Sequence, residues 1–136
     1  MKKAAGTIVF YKGSILLAKR QLTYKGKPVD FGGYWSIFTG GSDEGEDSID
    51  TACRELDEET RIKVSPCSLD YVDTVYNKSC ELCIFAYESP KLVAPILDFE
   101  HTEYGWFRLS SLSGFPDLID NKVLSVILSY SKKRKR

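Results

Sequence analysis

The period of the apolar positions changes several times along the chain, and each change marks an element. Residues 4–11 (AAGTIVFY) and 14–19 (SILLAK) are short apolar runs separated by Lys12-Gly13, the pattern of two strands joined by a tight turn. Residues 20–34 (RQLTYKGKPVDFGGY) keep no steady period. A loop of about fifteen residues is longer than most structural connections, which favours a functional role. Residues 35–38 (WSIF) predict a brief strand that runs into Gly40-Gly41. From 46 to about 60 the period becomes helical. Ile49, Ala52, Cys53 and Leu56 stand at i, i+3, i+4 and i+7 and predict the buried stripe. Glu55, Glu58 and Glu59 repeat at i, i+3 and i+4 and share another face, with no base among them. After Ser65-Pro66, strands are predicted near 69–76 and 81–88. A loop around 90–95 follows, then a stretch over 98–109 (DFEHTEYGWFRL) that ends in an aromatic strand. Leu118, Ile119, Val123, Ile127 and Tyr130 mark an amphipathic helix over 116–130, with Pro116 suited to its first turn.

Mixed strands with a central and a C-terminal helix predict an α/β layered domain, and the early hairpin implies a mixed sheet. At 136 residues the chain fits one domain with a real core. That domain is expected over 1–130, with a disordered basic tail over 131–136.

Composition adds a polarity that the net charge of zero conceals. Acid gathers in the middle, and Lys132, Lys133, Arg134, Lys135 and Arg136 form a cationic end. No stretch approaches the ~20 apolar residues of a membrane span, and the basic opening leads into a short β-branched run rather than a signal peptide. A cytoplasmic protein with no membrane partner is expected. Of the four cysteines, only Cys80 and Cys83 have ligand-like spacing. On a strand they would point to opposite faces, so buried, reduced thiols are expected.

Nine of the nineteen acidic residues lie between Gly40 and Ile62, in GGSDEGEDSIDTACRELDEETRI. Such crowding costs self-repulsion, which either solvent on a helix face or a bound cation relieves. Clustered carboxylates without a neighbouring His or Cys are hard oxygen ligands that suit Mg²⁺ or Mn²⁺. Such an ion pairs naturally with phosphate oxygens and activates water. Spacing alone reaches metal-dependent chemistry on a phosphate and no further.

The same residues resemble the signature of the Nudix hydrolases, GX5EX7REUXEEXGU with U a bulky aliphatic. Gly40, Glu46, Arg54-Glu55-Leu56, Glu58-Glu59 and Ile62 fall at its fixed positions. The resemblance extends to the GGYW lead-in and to EHTEYGWFRLSSL downstream. It implies the Nudix fold, an α/β/α sandwich around a mixed sheet, and hydrolysis of a nucleoside diphosphate linked to some moiety X. It assigns Glu58 and Glu59 as main metal ligands, the Gly40 carbonyl as a further one and Glu46 as a supporting carboxylate. Glu55 is implied as ligand or general base. Arg54 is implied to orient the carboxylates and act with Glu55, Glu58 and Glu100 in catalysis. Glu100 or Glu103 would supply one more carboxylate, and relatives of this kind are often homodimers. Two positions depart from the pattern: Arg61 replaces the motif's glycine, and Thr39 stands where proline is common.

Outside the signature, Lys19 and Arg20 could meet phosphates, and Tyr34 could contact the nucleotide. Lys25 and Lys27 are further candidates for phosphate, and Tyr24 for a base. Phe31 and Trp35 are expected in the core. His101, the only histidine, is read as an exposed loop residue beside Glu100. Three functions compete: a nucleotide pyrophosphohydrolase, an RNA 5′-end pyrophosphohydrolase recruited through the basic tail, and a non-catalytic nucleotide sensor. A sensor would be expected to lack some of the glutamates kept here.

Overall fold

The computed structural model describes residues 1–114 and 121–134. The strands are β1 (Lys2–Tyr11), β2 (Ser14–Arg20), β3 (Thr23–Tyr24), β4 (Lys27–Pro28), β5 (Trp35–Ser36), β6 (Phe38–Gly41), β7 (Asp70–Tyr76), β8 (Cys80–Glu88) and β9 (His101–Arg108). The helices are α1 (Ser48–Thr60) and α2 (Asn121–Arg134). A strand that is apolar at both parities needs cover on both faces, and the central strands receive it. Ile8, Phe10, Ile15, Leu17, Ile84 and Ala86 pack with Leu112 and with Val123 and Ile127 of α2. The alternate residues Ala5, Val9, Leu16, Ala18 and Phe85 pack, with Phe38, toward Ala52 and Leu56 of α1. The result is the expected α/β/α sandwich.

The main sheet has seven strands in the order β5-β2-β1-β8-β7, with β6 paired to β1 and β9 to β2. β1 and β8 run parallel and the other pairs antiparallel, so the sheet is mixed. Its central irregularity positions the site. β1 and β2 pair only where Val9–Tyr11 meets Ser14–Leu16. Beyond that point they diverge: β6 takes over the edge of β1 (Ala5↔Gly40) and β5 that of β2 (Lys19↔Trp35). Residues 35–41 fill the gap and deliver Gly40 and Gly41 beside α1.

Several local expectations change. A short antiparallel hairpin, β3 with β4, interrupts the 20–34 loop. The β1–β2 turn takes its positive φ at Lys12 (52°). Trp35 packs edge-on to Phe107 with ring centroids 5.0 Å apart. Phe31, expected in the core, is instead 56% exposed at φ 58°. Cys53, Cys80 and Cys83 are half-buried and Cys67 is exposed, all four as free thiols. Pro116 and the start expected for the last helix lie outside the described residues. The chain does not leave the fold at Ser131: α2 runs to Arg134, and Ser131 is buried. Arg134 pairs with Glu88 and lies over the Phe10 ring at 4.0 Å. No described helix is long and apolar enough to cross a membrane.

Arg61 closes α1 in the left-handed region, at φ 65° and ψ 15°, and its N–H donates to Asp57 O at 2.8 Å. The helix end is therefore kept as a glycine would build it, with the strain of a Cβ added. Arg61→Gly should raise stability by about 0.5–1 kcal/mol in a urea titration. A loss of stability would mean that the Arg61 side chain makes a contact worth more than the strain.

Candidate active site

Arg54 joins the parts of the site. Its Nε and Nη2 donate to the two oxygens of Glu46 (3.0 and 2.9 Å), and Nη2 also donates to Gly41 O (2.9 Å). Nη1 donates to Glu55 Oε1 (3.0 Å) and Glu58 Oε1 (3.1 Å). A planar guanidinium can serve these directions at once, which an ammonium cannot. Glu46 also accepts from the Asp43 N–H at 2.9 Å and from the Thr51 hydroxyl at 2.8 Å. These donors, Arg54 first, hold its carboxyl down at about 2. The glutamate face read as lacking a base thus has one, supplied from the residue next to Glu55.

Glu59 is the opposite case. Its position on α1 turns it toward the sheet, it is 2% exposed, and its Oε2 has no hydrogen-bond partner. Burial first, then the carboxylates of Glu55, Glu100 and Asp98, push its carboxyl up to about 11. Glu58, by contrast, has a side chain 53% exposed on the outer edge of the cluster.

Glu100 arrives from the segment before β9. Its carbonyl accepts from Gln21 N (3.0 Å), and its N–H donates to Asp98 Oδ1 (3.1 Å). Burial and the neighbouring Asp98 raise its carboxyl too. His101 corrects the reading of an exposed loop residue, because it is buried at the start of β9. Its Nδ1 lies 3.2 Å from Asp98 Oδ1 and its Nε2 4.0 Å from Glu59 Oε1. Desolvation lowers its pKa, so the ring is held neutral. Ligand atoms of Glu59, Glu100 and His101 all lie within 4.8 Å of one another. His101 belongs to β9 rather than to the loop before it, across a bulge: Lys19 pairs with Glu103 but Arg20 with His101, leaving Thr102 extra. That extra residue inverts the alternation. It turns His101 to the α1 side against Phe38, with ring centroids 5.6 Å apart.

Gly40 is required by close approach. A Cβ there would stand 2.0 Å from Glu55 Cδ and within 2.3 Å of both carboxylate oxygens. Glu55 therefore lies against the bare backbone of β6. The other sequence candidates separate. Glu103 is exposed on β9 opposite Lys19 and outside the close cluster. Arg20 lines a cavity with Glu100, whereas Tyr34 is partly exposed and packs edge-on to Phe31.

The residues fit a divalent cation. Glu55, Glu59 and Glu100 converge with one buried oxygen unpartnered; Arg54 is already committed to Glu46, Glu55 and Glu58, and Arg20 offsets only part of the charge at Glu100. Oxygen donors of this kind favour a hard ion, and an ion's charge would reverse the upward shift of the carboxyls.

A family model described as NUDIX domain matches residues 1–125. An RNA pyrophosphohydrolase from Bartonella quintana (strain Toulouse) is 36% identical over 63 residues, 46% of this chain and 36% of that protein. The chain thus matches only about a third of the length of such curated relatives. A MutT/Nudix family protein from Listeria innocua superimposes with TM-score 0.76 at 25% identity, covering 98% of this chain and 95% of that one. The Ap4A hydrolase of C. elegans, in a binary complex, superimposes with TM-score 0.70 at 21% identity, covering 97% and 98%.

Glu59 and Glu100 ionise at higher pH in the folded protein than in the unfolded chain. Without a cation, their contribution to stability is therefore greatest below the ordinary carboxylate range and falls as pH rises toward the folded value. His101 acts in the opposite sense, but only near and below its ordinary range, so above about pH 7 the carboxylates act without it, joined toward pH 9 by the Cys53 thiol, which burial also raises. In chelator, the melting temperature should fall between about pH 7 and pH 9. Mg²⁺ or Mn²⁺ should raise it most at the alkaline end. Equal melting curves with ion and with chelator would contradict the site. Gly40→Ala should fold, since the clash meets the far end of a flexible side chain. It should also lose about tenfold or more in ion affinity by displacing Glu55, and unchanged affinity by calorimetry would remove Glu55 from the site.

Proposed function

The chain belongs to the Nudix family, and on that premise we propose that it hydrolyses a pyrophosphate bond in a nucleoside diphosphate linked to a further group. A nucleoside triphosphate, dinucleoside polyphosphate or nucleotide sugar meets that description. The observation that carries this reading is Glu59, a buried carboxyl with an unpartnered oxygen beside Glu55 and Glu100.

Glu55, Glu58, Glu59 and Glu100 would hold the cation, Mg²⁺ or Mn²⁺, with the Gly40 carbonyl as a further donor and Glu46 in support. When bound, such an ion neutralises charge on the phosphates and acts as a Lewis acid at phosphorus. The protein's own part is positioning. Arg54 fixes Glu55 and Glu58 against the end of β6, and Arg20 lies beside Glu100 where it can meet a phosphate. Water adds to phosphorus, the anhydride oxygen leaves with its phosphate, and the proton of the water passes to a carboxylate oxygen of Glu55 or Glu100. Glu103 is a poorer base from its exposed position on β9.

The similarity to an RNA pyrophosphohydrolase supports a second reading, a triphosphorylated RNA end as substrate. Ala5 lies beside Gly40 and Phe10 beneath Arg134. The acidic site lies on the α1 face of the sheet and the cationic end of α2 on the opposite face, so only an extended ligand passing round the sheet would meet both.

The test is a panel of nucleotides and a 5′-triphosphorylated oligoribonucleotide, with Mg²⁺ or Mn²⁺ and chromatographic identification of products. Metal-dependent cleavage of a pyrophosphate bond is the expected result, and no cleavage of any member contradicts the proposal. Glu58→Gln should abolish turnover without changing the melting temperature by more than a few degrees, because the side chain is exposed. Reversing the charges of Lys132 and Lys133 should lower turnover of the oligoribonucleotide alone if RNA is the substrate.

A further inference from the structure

Tyr24, from β3, and Phe99, from the segment before β9, stack on each other with centroids 5.1 Å apart and planes inclined by 29°. They remain 46% and 61% exposed. The rings come from separate parts of the chain, and backbone contacts hold those parts together. Gln21 N donates to Glu100 O, and Val29 N donates to Leu22 O across the base of the small hairpin. The ring pair, with Arg20, Gln21, Val29 and Glu100, lines a cavity of about 290 Å³, near the lower limit of about 300 Å³ for small-molecule sites. Glu100 is common to this cavity and to the carboxylate cluster, so an occupant of the cavity reaches the acidic site directly.

We infer that the Tyr24–Phe99 pair is the stacking platform for the nucleobase of the substrate, and that it reads the base by its face. This deepens the proposed hydrolysis and rests on it. Exposed rings suit a flat, apolar-faced group with a polar edge, because stacking needs a π-face and little else. Arg20, which lines the same cavity as the rings and Glu100, supplies the positive charge for the phosphates attached to that base. The aromatic wall distinguishes a nucleotide from a base-free polyphosphate, for which it has no use. Since every base has a π-face, the site should accept adenine and guanine within a few-fold of each other and favour purines over pyrimidines by ring area. The same chemistry would serve a free nucleotide or the terminal nucleotide of an RNA.

The experiment compares Tyr24→Ala, Phe99→Ala and Phe99→Trp with the unaltered protein. A non-hydrolysable methylene analogue of ATP and methylenediphosphonate are titrated by calorimetry in the presence of Mg²⁺. Turnover is followed in parallel for ATP, for a 5′-triphosphorylated oligoribonucleotide and for tripolyphosphate. Both side chains are exposed, so the variants should fold, and far-UV circular dichroism checks that they do. Each alanine variant should weaken binding of the ATP analogue about 10- to 100-fold relative to methylenediphosphonate, with the loss in KM rather than kcat, and Phe99→Trp should restore it. Equal losses for both ligands, or none, would overturn the platform. The outcome is separable from that of the hydrolysis itself. Base-dependent binding without turnover would reject the hydrolase and keep the platform, whereas turnover without base dependence would do the reverse. Given that loss in analogue binding, a larger fall in turnover for the oligoribonucleotide than for ATP would identify RNA as the source of the base, and an equal or larger fall for ATP would identify free nucleotide.

Discussion

Burying a carboxyl with one oxygen unpartnered is expensive, and the site is organised around that cost at Glu59. An unsatisfied buried polar atom costs about 1–3 kcal/mol and an ionised one more, so a sequence selected for stability alone would place an aliphatic residue there. Glu59 sits instead among Glu55, Glu100 and Asp98, whose charges push its carboxyl further up. Arg54 is spent on Glu46, Glu55 and Glu58, and Arg20 offsets only part of the charge at Glu100. The arrangement is unfavourable without a positively charged ligand and favourable with one.

The fold makes this possible by splitting its own sheet. Had β1 and β2 stayed paired along their length, residues 35–41 would have no place between them and Gly40 would not meet α1. The divergence on the N-terminal side of Val9 admits β6 on one side and β5 on the other. Glu55 then lies against bare backbone at Gly40, while Arg54 reaches the Gly41 carbonyl. On the opposite wall, the bulge at Thr102 turns His101 inward and leaves Glu100 at the mouth. Each of these steps is a local exception to regular structure, and together they bring α1, β6 and the start of β9 to one point.

The layers of the fold were legible because they follow from periodicity. Both parities of the central strands are apolar, which demands two covering layers, and Ala52 and Leu56 repeat at helical spacing. The signature of fixed spacing also placed Glu55, Glu58 and Glu59 on one helix together. The spacing did not reveal which of them is buried, since Glu59 occupies the boundary between the acidic face and the core stripe. Glu100 was accessible only through resemblance, because its approach depends on long-range backbone contacts. His101 was hidden because β9 begins earlier than its aromatic run and a bulge then reverses strand parity, and Asp98 because it meets His101 through a turn before the strand. The Tyr24–Phe99 stack joins residues far apart in sequence, and no local pattern signals it. Arg61 was visible as an anomaly, and the structure shows the backbone bearing the strain instead of rebuilding the helix end.

The central claim is that the buried acid of Glu59 exists to hold a divalent cation, and Mn²⁺ binding followed by electron paramagnetic resonance tests it most directly. Glu59→Gln keeps the size of the side chain and removes its capacity for charge. The account predicts saturable Mn²⁺ binding by the unaltered protein, displaced by Mg²⁺, and at least about tenfold weaker binding by Glu59→Gln. It also predicts that the variant is no less stable than the parent in chelator, since the amide removes a carboxyl whose ionisation the buried site penalises. Mn²⁺ binding of equal strength in both proteins would contradict the account.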